Sequence, residues 1–441
     1  MEMNRLPRFG AVALAGFSAV FPAFAQTNVC NGSQKLACLM PNLFGSSNGG
    51  LTLPNPTHSA HFISDPSGST LPVIGPLNSA LATQLNLLPT VSPASGFVFA
   101  YDPATGLYTQ SEQSFGPILS ERAETLGRRK VFIGFTFQNF VFDQIDGQKL
   151  SDLHAVFTHA EVPNAPAPQF LRDLITADNN VHLRVSQYTT FVTVGVTNRL
   201  DVSLAIPVVS TKLGVASTAT IRRNAPNASE PQPHYFEGGV DTSHISNTQT
   251  ASGLGDLILR VKGTVFRGES SAIALGTDIR FPTGDELDLL GSGAAGVRPF
   301  VVASISWGRF APHVNLGYQF NGESILAGNF LTGAKEGLPD QFIYTFGADV
   351  SVHRRVTLAF DYLGQQVIDG QRLRTITYSN NAGQFNGIQT YDDSFNISSG
   401  AVGLKFSPIN KLLITGNLLF RLNDAGLRSK VVPLVGISYV F

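Results

Sequence analysis

Charged side chains fall at every second position in stretches that are otherwise apolar, and that spacing decides what chemistry they can do. Between Asp256 and Arg267, one set is Leu257, Leu259, Val261, Gly263 and Val265, and the interleaved set is Ile258, Arg260, Lys262, Thr264 and Phe266. The next stretch alternates Ile273, Leu275, Thr277, Ile279 and Phe281 with Ala274, Gly276, Asp278 and Arg280. Period two is the period of a strand, whose side chains point to opposite faces in turn. Further along, His313, Asn315 and Gln319 form such a polar set, and Asp349, Asp361, Lys405, Asn417 and Arg421 each interrupt an apolar alternation. Cations and anions on one face of successive strands fit three kinds of chemistry: structural ion pairing, a lined path for a solute, or acid–base catalysis.

Catalysis finds the least support. A hydrolase needs a nucleophile beside a base held by an orienting group. The chain has neither a Gly-x-Ser-x-Gly elbow nor a His-Glu-x-x-His metal pair. Its nine histidines fall mostly in connecting segments. His313 is expected inside, near Asp278 or Asp349, as a hydrogen-bonded structural histidine. Three glycine-rich signatures, Gly253–Asp256, Phe281–Asp285 and Leu289–Gly293, precede no helix, so they do not read as phosphate cradles. No catalytic residue, metal site or cofactor is therefore assigned. The acids Asp143, Asp146, Asp285, Glu286 and Asp288 read as solvated charge, with a divalent cation bridging lipopolysaccharide as the alternative.

The alternating sets demand elements that place one face in an apolar medium. About 12 alternating runs follow one another from residue 130 to residue 441. Most have the ~9–11 residues that a tilted membrane-crossing strand needs. Tight turns at 197–200, 268–270, 308, 353–354 and 409–410 alternate with longer segments at 144–180, 214–254, 282–296, 321–340, 368–394 and 422–429. An antiparallel up-and-down transmembrane β-barrel with short periplasmic turns and long outer loops predicts that asymmetry. An Arg or Lys at the lipid midplane costs ~2–4 kcal/mol, so the charged faces must point inward. A secreted β-sandwich is the alternative fold. Charged residues make up 14% of the chain and the net charge is −1, which leaves no electrostatic footprint for nucleic acid.

Residues 1–25 read as a secretory signal peptide, with Arg5 and Arg8 before an apolar stretch and Ala23-Phe24-Ala25 as the cleavage pattern. Residues 26–129, rich in Pro, Ser, Asn and Gly, read as a periplasmic extension or a plug in the barrel mouth; residues 130–441 form the barrel. Within the extension, 76–88 is expected as a short helix and 96–109 as a small hairpin. Cys30 and Cys38 are expected to close a local disulfide.

For the inward set of Arg260, Lys262, Asp278, Arg280, His313, Asp349, Asp361, Lys405 and Arg421, two roles stay open. They either fill and stiffen a narrow barrel or line a path and set its selectivity. Arg260, Lys262, Asp278 and Arg280 are expected on one stretch of inner wall. Parity slips in two places, near Ser186-Gln187 and at Asn139, where a bulge or a misplaced strand boundary would account for it.

The residues Gly253-Leu254-Gly255-Asp256, Pro282-Thr283-Gly284-Asp285, Gly317-Tyr318 and the terminal Tyr439-Val440-Phe441 resemble the bacterial outer-membrane transporter family named for the MetA pathway of phenol degradation. The resemblance covers about 250–441 well and 130–213 by strand pattern. It implies a channel or uptake role for small aromatic or other hydrophobic molecules and transfers no catalytic residue. The expected partners are the solute, outer-membrane lipid and lipopolysaccharide, and the outer-membrane assembly machinery through the strand ending at Phe441. A closed barrel whose long outer loops bind a surface partner or lipid is the alternative function, and an outer-membrane hydrolase the third.

Overall fold

The computed structural model describes residues 29–43, 51–56, 62–63, 80, 82, 84, 99–102, 107–110, 114–159, 169–226, 232–329, 333–409 and 411–441. The signal segment 1–25 and Asn410 lie outside them. Of the expected helix at 76–88, Ala80, Ala82 and Gln84 are described and are helical. Of the expected hairpin, Phe99–Asp102 and Leu107–Gln110 pair antiparallel, and the turn between them lies outside the described residues.

Twelve antiparallel strands close into a barrel. They are β1 (Val131–Ile145), β2 (Leu174–Gly195), β3 (Leu200–Arg222), β4 (Thr242–Leu254 continuing as Leu257–Arg267), β5 (Ser271–Phe281), β6 (Gly296–Ile305), β7 (Phe310–Asn321), β8 (Gln341–His353), β9 (Val356–Asn380), β10 (Gly383–Phe406), β11 (Leu412–Arg421) and β12 (Val431–Val440, preceded by Leu427–Ser429). Each pairs with its sequence neighbours, and β12 closes on β1 through pairs such as Ile437 with Phe135 and Tyr439 with Ile133. Closure leaves no open edge, which a lipid environment requires because nothing there can satisfy unpaired backbone groups.

Aromatic residues mark two levels of the outer surface. Phe281, Phe320, Phe342 and Phe420 lie exposed near one rim, and Phe266, Trp307, Phe310, Phe406 and Phe441 near the other. Two such girdles bound the apolar band of an outer-membrane barrel. The tight turns lie at the Trp307 rim.

Several strands run far past that band. β2, β3, β9 and β10 have 22, 23, 25 and 24 residues, about twice what crossing requires. Segments 214–254 and 368–394, expected as long loops, are largely continuations of strands paired in register. Alternation in β2 is unbroken: every odd residue from Leu183 to Gly195 is buried, Gln187 among them. No bulge occurs near Ser186 or at Asn139. The two residues sit opposite one another and hydrogen-bond at 3.0 Å. What changes is the medium. Below this level the outward set is Tyr188, Thr190, Val192 and Val194, and above it Asp178, Asn180, His182 and Arg184. The inward set changes oppositely, from Gln187, Thr189 and Thr193 to Val181, Leu183 and Val185.

The apolar inner face of this outer half packs on the N-terminal region. Leu36, Leu39, Leu53 and Phe62 share one core with Phe157, Ile175, Leu183, Leu213, Ile221 and Leu373. Cys30 and Cys38 form a disulfide with Cα atoms 5.1 Å apart, and both are buried in that core.

Candidate functional site

The three glycine-rich signatures meet at one place. Asp256 accepts hydrogen bonds from the Gly284 N–H at 3.1 Å and from the Ser292 N–H and hydroxyl at 2.8 and 2.6 Å. The Thr283 hydroxyl donates to the Gly255 carbonyl at 2.6 Å. A Cβ on Gly284 would stand 2.7 Å from the Gly291 Cα, and one on Gly291 would stand 2.3 Å from the Asp256 carboxylate. Glycine is needed here for close approach. The result is a loop, 282–296, folded over the barrel mouth with Leu289 and Leu290 buried.

That loop holds the disulfide-closed N-terminal segment. The Ala37 N–H donates to the Leu287 carbonyl at 2.8 Å, and Lys35 Nζ contacts Asp285 at 2.7 Å and Asp288 at 2.6 Å. The two carboxylates push the Lys35 ammonium up to about 12. The Lys35 hydrogen bond in turn holds Asp285 below the usual carboxylate range, against a burial that works the other way.

At the opposite, turn-side end, residues 114–126 cross the lumen and are hydrogen-bonded to the wall. The Phe115 N–H donates to the Thr357 hydroxyl at 3.0 Å, the Ala123 N–H to the Ser304 hydroxyl at 2.9 Å and the Leu126 N–H to Asp201 at 2.8 Å. Glu121 exchanges two backbone hydrogen bonds with the Asn315 amide, at 2.7 and 3.0 Å. Lys405 donates to the Phe115 carbonyl at 3.1 Å and to that of Pro117. Five strands therefore supply these polar groups to one short segment, because an irregular chain in a barrel must find partners on the wall.

Two ionic clusters complete the crossing. In the first, the Glu121 carboxylate bridges Arg260 and Lys262, the latter at 2.9 Å. Arg260 grips Asp278 through Nε at 2.7 Å and Nη2 at 2.8 Å, and Arg298 Nε reaches the same carboxylate at 3.1 Å. In the second, His313 Nε2 lies 2.8 Å from Asp361 and 2.7 Å from the Ser120 hydroxyl, which itself donates to Asp361 at 2.7 Å. Asp349 stands 3.5 Å from His313 Nδ1 and 3.2 Å from Arg122 Nη2. Apart from the half-buried Arg298, each of these charges is buried, and all are paired, as burial demands.

Of the two acids expected near His313, Asp349 stands there, joined by Asp361, whereas Asp278 is occupied by Arg260 and Arg298. Arg280 leaves the Arg260 group and turns toward the outer end, donating to the Ala294 carbonyl at 3.0 Å and to Asn321 at 3.1 Å. Arg421 also stands apart, paired with Asp143 at 3.0 Å. Ser120, Glu121, Arg122 and Arg298 were not singled out in the sequence. The only signal for the first three is a dense run of charge, Glu121, Arg122 and Glu124, just before the first strand.

Above the crossing segment three cavities follow one another along β9. The lowest has a volume of about 90 Å3 and is lined by Glu121, Arg298, Phe300, Thr345, Leu363 and Gln365 among others. The second, about 50 Å3, shares Leu363 and Gln365 with the first and adds Phe140, Ile397 and Leu419. The third, about 10 Å3, is a narrow gap that shares Gln84, Ile397 and Leu427 with the second and reaches Val367, Gly370 and Gln371.

The family described as "Putative MetA-pathway of phenol degradation" matches residues 171–406, from β2 through β10. The terminal Tyr439-Val440-Phe441, part of the sequence resemblance, lies outside that span. No curated protein matches the sequence. Among solved structures, the chain is similar to an outer membrane channel from Pseudomonas putida F1, at 14% identity and a TM-score of 0.45 over 72% of this chain and 98% of that one. It is also similar to the Ralstonia pickettii toluene transporter TbuX, at 10% identity and 0.34 over 71% and 90%. A Pseudomonas aeruginosa FadL homologue aligns at 10% identity and 0.34 over 80% and 99%.

Proposed function

This chain belongs to the outer-membrane family of the MetA pathway of phenol degradation, and from that premise we propose that it is a channel for facilitated diffusion of small aromatic or hydrophobic molecules. It is a closed β-barrel of the bacterial outer membrane. The observation that carries the reading is the succession of cavities along β9, bounded by polar and apolar side chains inside a closed wall. Ligand sites combine an apolar lining with a few placed polar groups in this way.

In this reading residues 114–126 are a plug at the periplasmic end, and residues 29–43, 51–56 and 62–63 form a cap at the outer end. Arg260, Lys262, Asp278, His313, Asp349, Asp361 and Lys405 serve the plug, and Arg280 and Arg421 the upper wall. Mixed sign supports a gated route rather than a strongly ion-selective pore. The lipid, lipopolysaccharide and assembly-machinery partners belong to the same proposal, the last through the terminal strand ending at Phe441.

An enzyme is disfavoured. Ser120, His313 and the aspartates stand together, but Asp361 and the Ser120 hydroxyl crowd the same imidazole nitrogen, Nε2. A hydrolase needs that nitrogen free for the serine proton and the acid firmly on Nδ1.

A second reading, a closed barrel acting through its outer surface, is favoured by one observation: the lumen is crossed at both ends. Liposome uptake separates the two. The full chain should admit phenol or toluate without swelling in sugars, and removal of residues 114–126 should open it to sugars. A barrel that stays closed to every solute after that deletion is no channel.

A further inference from the structure

We propose that the cavities along β9 form a track for arenes that carry a polar group, and that the lowest is a binding site for an arene monocarboxylate, held by Arg298 beside Phe300 and Leu363. This rests on the channel reading and names the solute class.

Three observations converge. First, the track is studded with amides that lack a complete set of partners. Gln365 Oε1 and Gln371 Oε1 have no hydrogen-bond partner, nor does Gln84 Nε2, among the described residues. A route used by hydrocarbons alone gains nothing from such groups, since an unpaired buried amide costs ~1–3 kcal/mol. A solute bearing a hydroxyl or carboxylate meets them one after another.

Second, apolar residues of the track, Leu363, Ile397, Phe140 and Leu427, share its lining with the amides Gln84 and Gln365. From Leu363 to Gly370 the strand climbs roughly 20 Å at ~3.3 Å per residue, past cavities that narrow toward the outer end. Cavities that share lining residues give successive stops rather than one large chamber.

Third, the lowest cavity holds the most accessible cation of the lower lumen. The charged residues that line it are Arg260, Arg298 and Glu121. The Arg260 and Lys262 side chains are 7% and 1% exposed, whereas Arg298 is 22% exposed. Arg298 uses Nε and Nη2 on Asp278, which leaves Nη1 without a partner among the described residues. The planar fork of an arginine suits a carboxylate. Phe300 lines the same cavity; the absence of a side chain at Gly276 lets its ring lie against the wall, and the Arg260 guanidinium stands 5.4 Å from the ring centroid, which leaves the ring edge and Leu363 as the apolar side of the cavity.

The test is titration of the detergent-solubilised full chain with benzoate, benzyl alcohol and toluene, followed by calorimetry, with liposome uptake of the same three. Benzoate should bind best. Arg298→Gln should weaken benzoate by about tenfold or more, as loss of a charge-assisted hydrogen bond does, and leave benzyl alcohol unchanged. Arg298→Lys should restore part of the difference. Asp278 keeps Arg260 in these variants, so the wall stays paired. Gln365→Leu should slow benzyl alcohol relative to toluene. Toluene binding as tightly as benzoate, or Arg298→Gln weakening all three alike, overturns the assignment. If benzoate binds but nothing crosses liposomes, the site stands and the channel reading fails. If all three cross with no difference in binding, the channel stands and the site fails.

Discussion

The membrane half of the barrel and the half beyond it are built from the same strands with opposite faces. In β2 below Ser186 the outward residues are apolar and the inward ones polar; above it Asp178, Asn180, His182 and Arg184 point out, and Val181, Leu183 and Val185 point in. In β3 the same exchange occurs near Ser210, from outward Val202, Leu204, Ile206 and Val208 to outward Lys212, Thr218 and Arg222. The backbone alternates without a break through both. The lower half is turned inside out by lipid and lined for a polar segment and solute. The upper half is an ordinary water-facing sheet with a core, and that core is supplied by the protein's own N-terminal region. Hydrophobicity in this chain reports the medium at each height, not the fold.

The largest expected effect comes from placing one charge on the inward face of both halves of one strand. Leu183→Asp puts a carboxylate into the outer core among Val181, Val185 and Leu213, and should cost more than about 4 kcal/mol or abolish folding. Thr189→Asp, six residues on and also inward, faces a cavity that Arg280 lines and should cost less than half as much. Urea unfolding of the two variants in lipid vesicles measures the difference. Equal costs would mean that the two interiors are alike.

Next is the plug. Glu121→Ala leaves Arg260 and Lys262 buried without their shared carboxylate, a loss of ~3–5 kcal/mol at that contact. Because β1–β12 pair without it, the barrel should remain folded while residues 114–126 come loose. Planar-bilayer recordings should show larger or more frequent openings than in the parent chain. Unchanged conductance with an unchanged unfolding midpoint would show that the Glu121 bridge does not hold the segment.

On the outward face the comparison reverses. Leu275→Arg, at an exposed position of β5 inside the lipid band, should cost ~2–4 kcal/mol. Asn180→Arg, outward on β2 above the band, should change stability by no more than ~0.5 kcal/mol. Heat-modified gel mobility resolves a gap of that size.

The sequence revealed the lower half more fully than the upper, and the inversion explains why. Parity placed Arg260, Lys262, Asp278 and Asp361 on inward faces because lipid makes the outward face uniformly apolar. Twelve strands and their turn-side connections follow from the same rule. Where strands leave the bilayer the rule reverses, so Ser186 and Asn139 looked like bulges and the upper parts of β3, β4, β9 and β10 looked like loops. The plug contacts were illegible for another reason. Glu121 lies some 140 positions from Arg260, and no local period links them. The glycine signatures were visible as motifs, but their purpose became clear only when Asp256, Gly284 and Gly291 stood together.

The smallest expected effect tests how firmly the two regions are clipped at the outer end. Lys35, on the N-terminal segment, pairs with Asp285 and Asp288 of loop 282–296, beyond the lipid. Asp285 is held below its ordinary value, so its contribution is complete above about pH 4 and lost as pH falls through the depressed value. Lys35 is raised, so its contribution is complete below about pH 10 and lost as pH climbs through about 12. Between those limits the clip should hold at constant strength. Its side chains are about two-fifths exposed for Lys35 and Asp285, so water and salt screen the pair to ~0.2–1 kcal/mol. Limited proteolysis of the N-terminal segment, compared between the parent chain and Lys35→Met, should show a small difference at neutral pH that fades as pH falls through the depressed Asp285 value and in high salt. The disulfide and the buried Leu36 and Leu39 should keep the segment docked in both. A difference that persists unchanged through acid titration and in high salt would assign the docking to apolar packing alone.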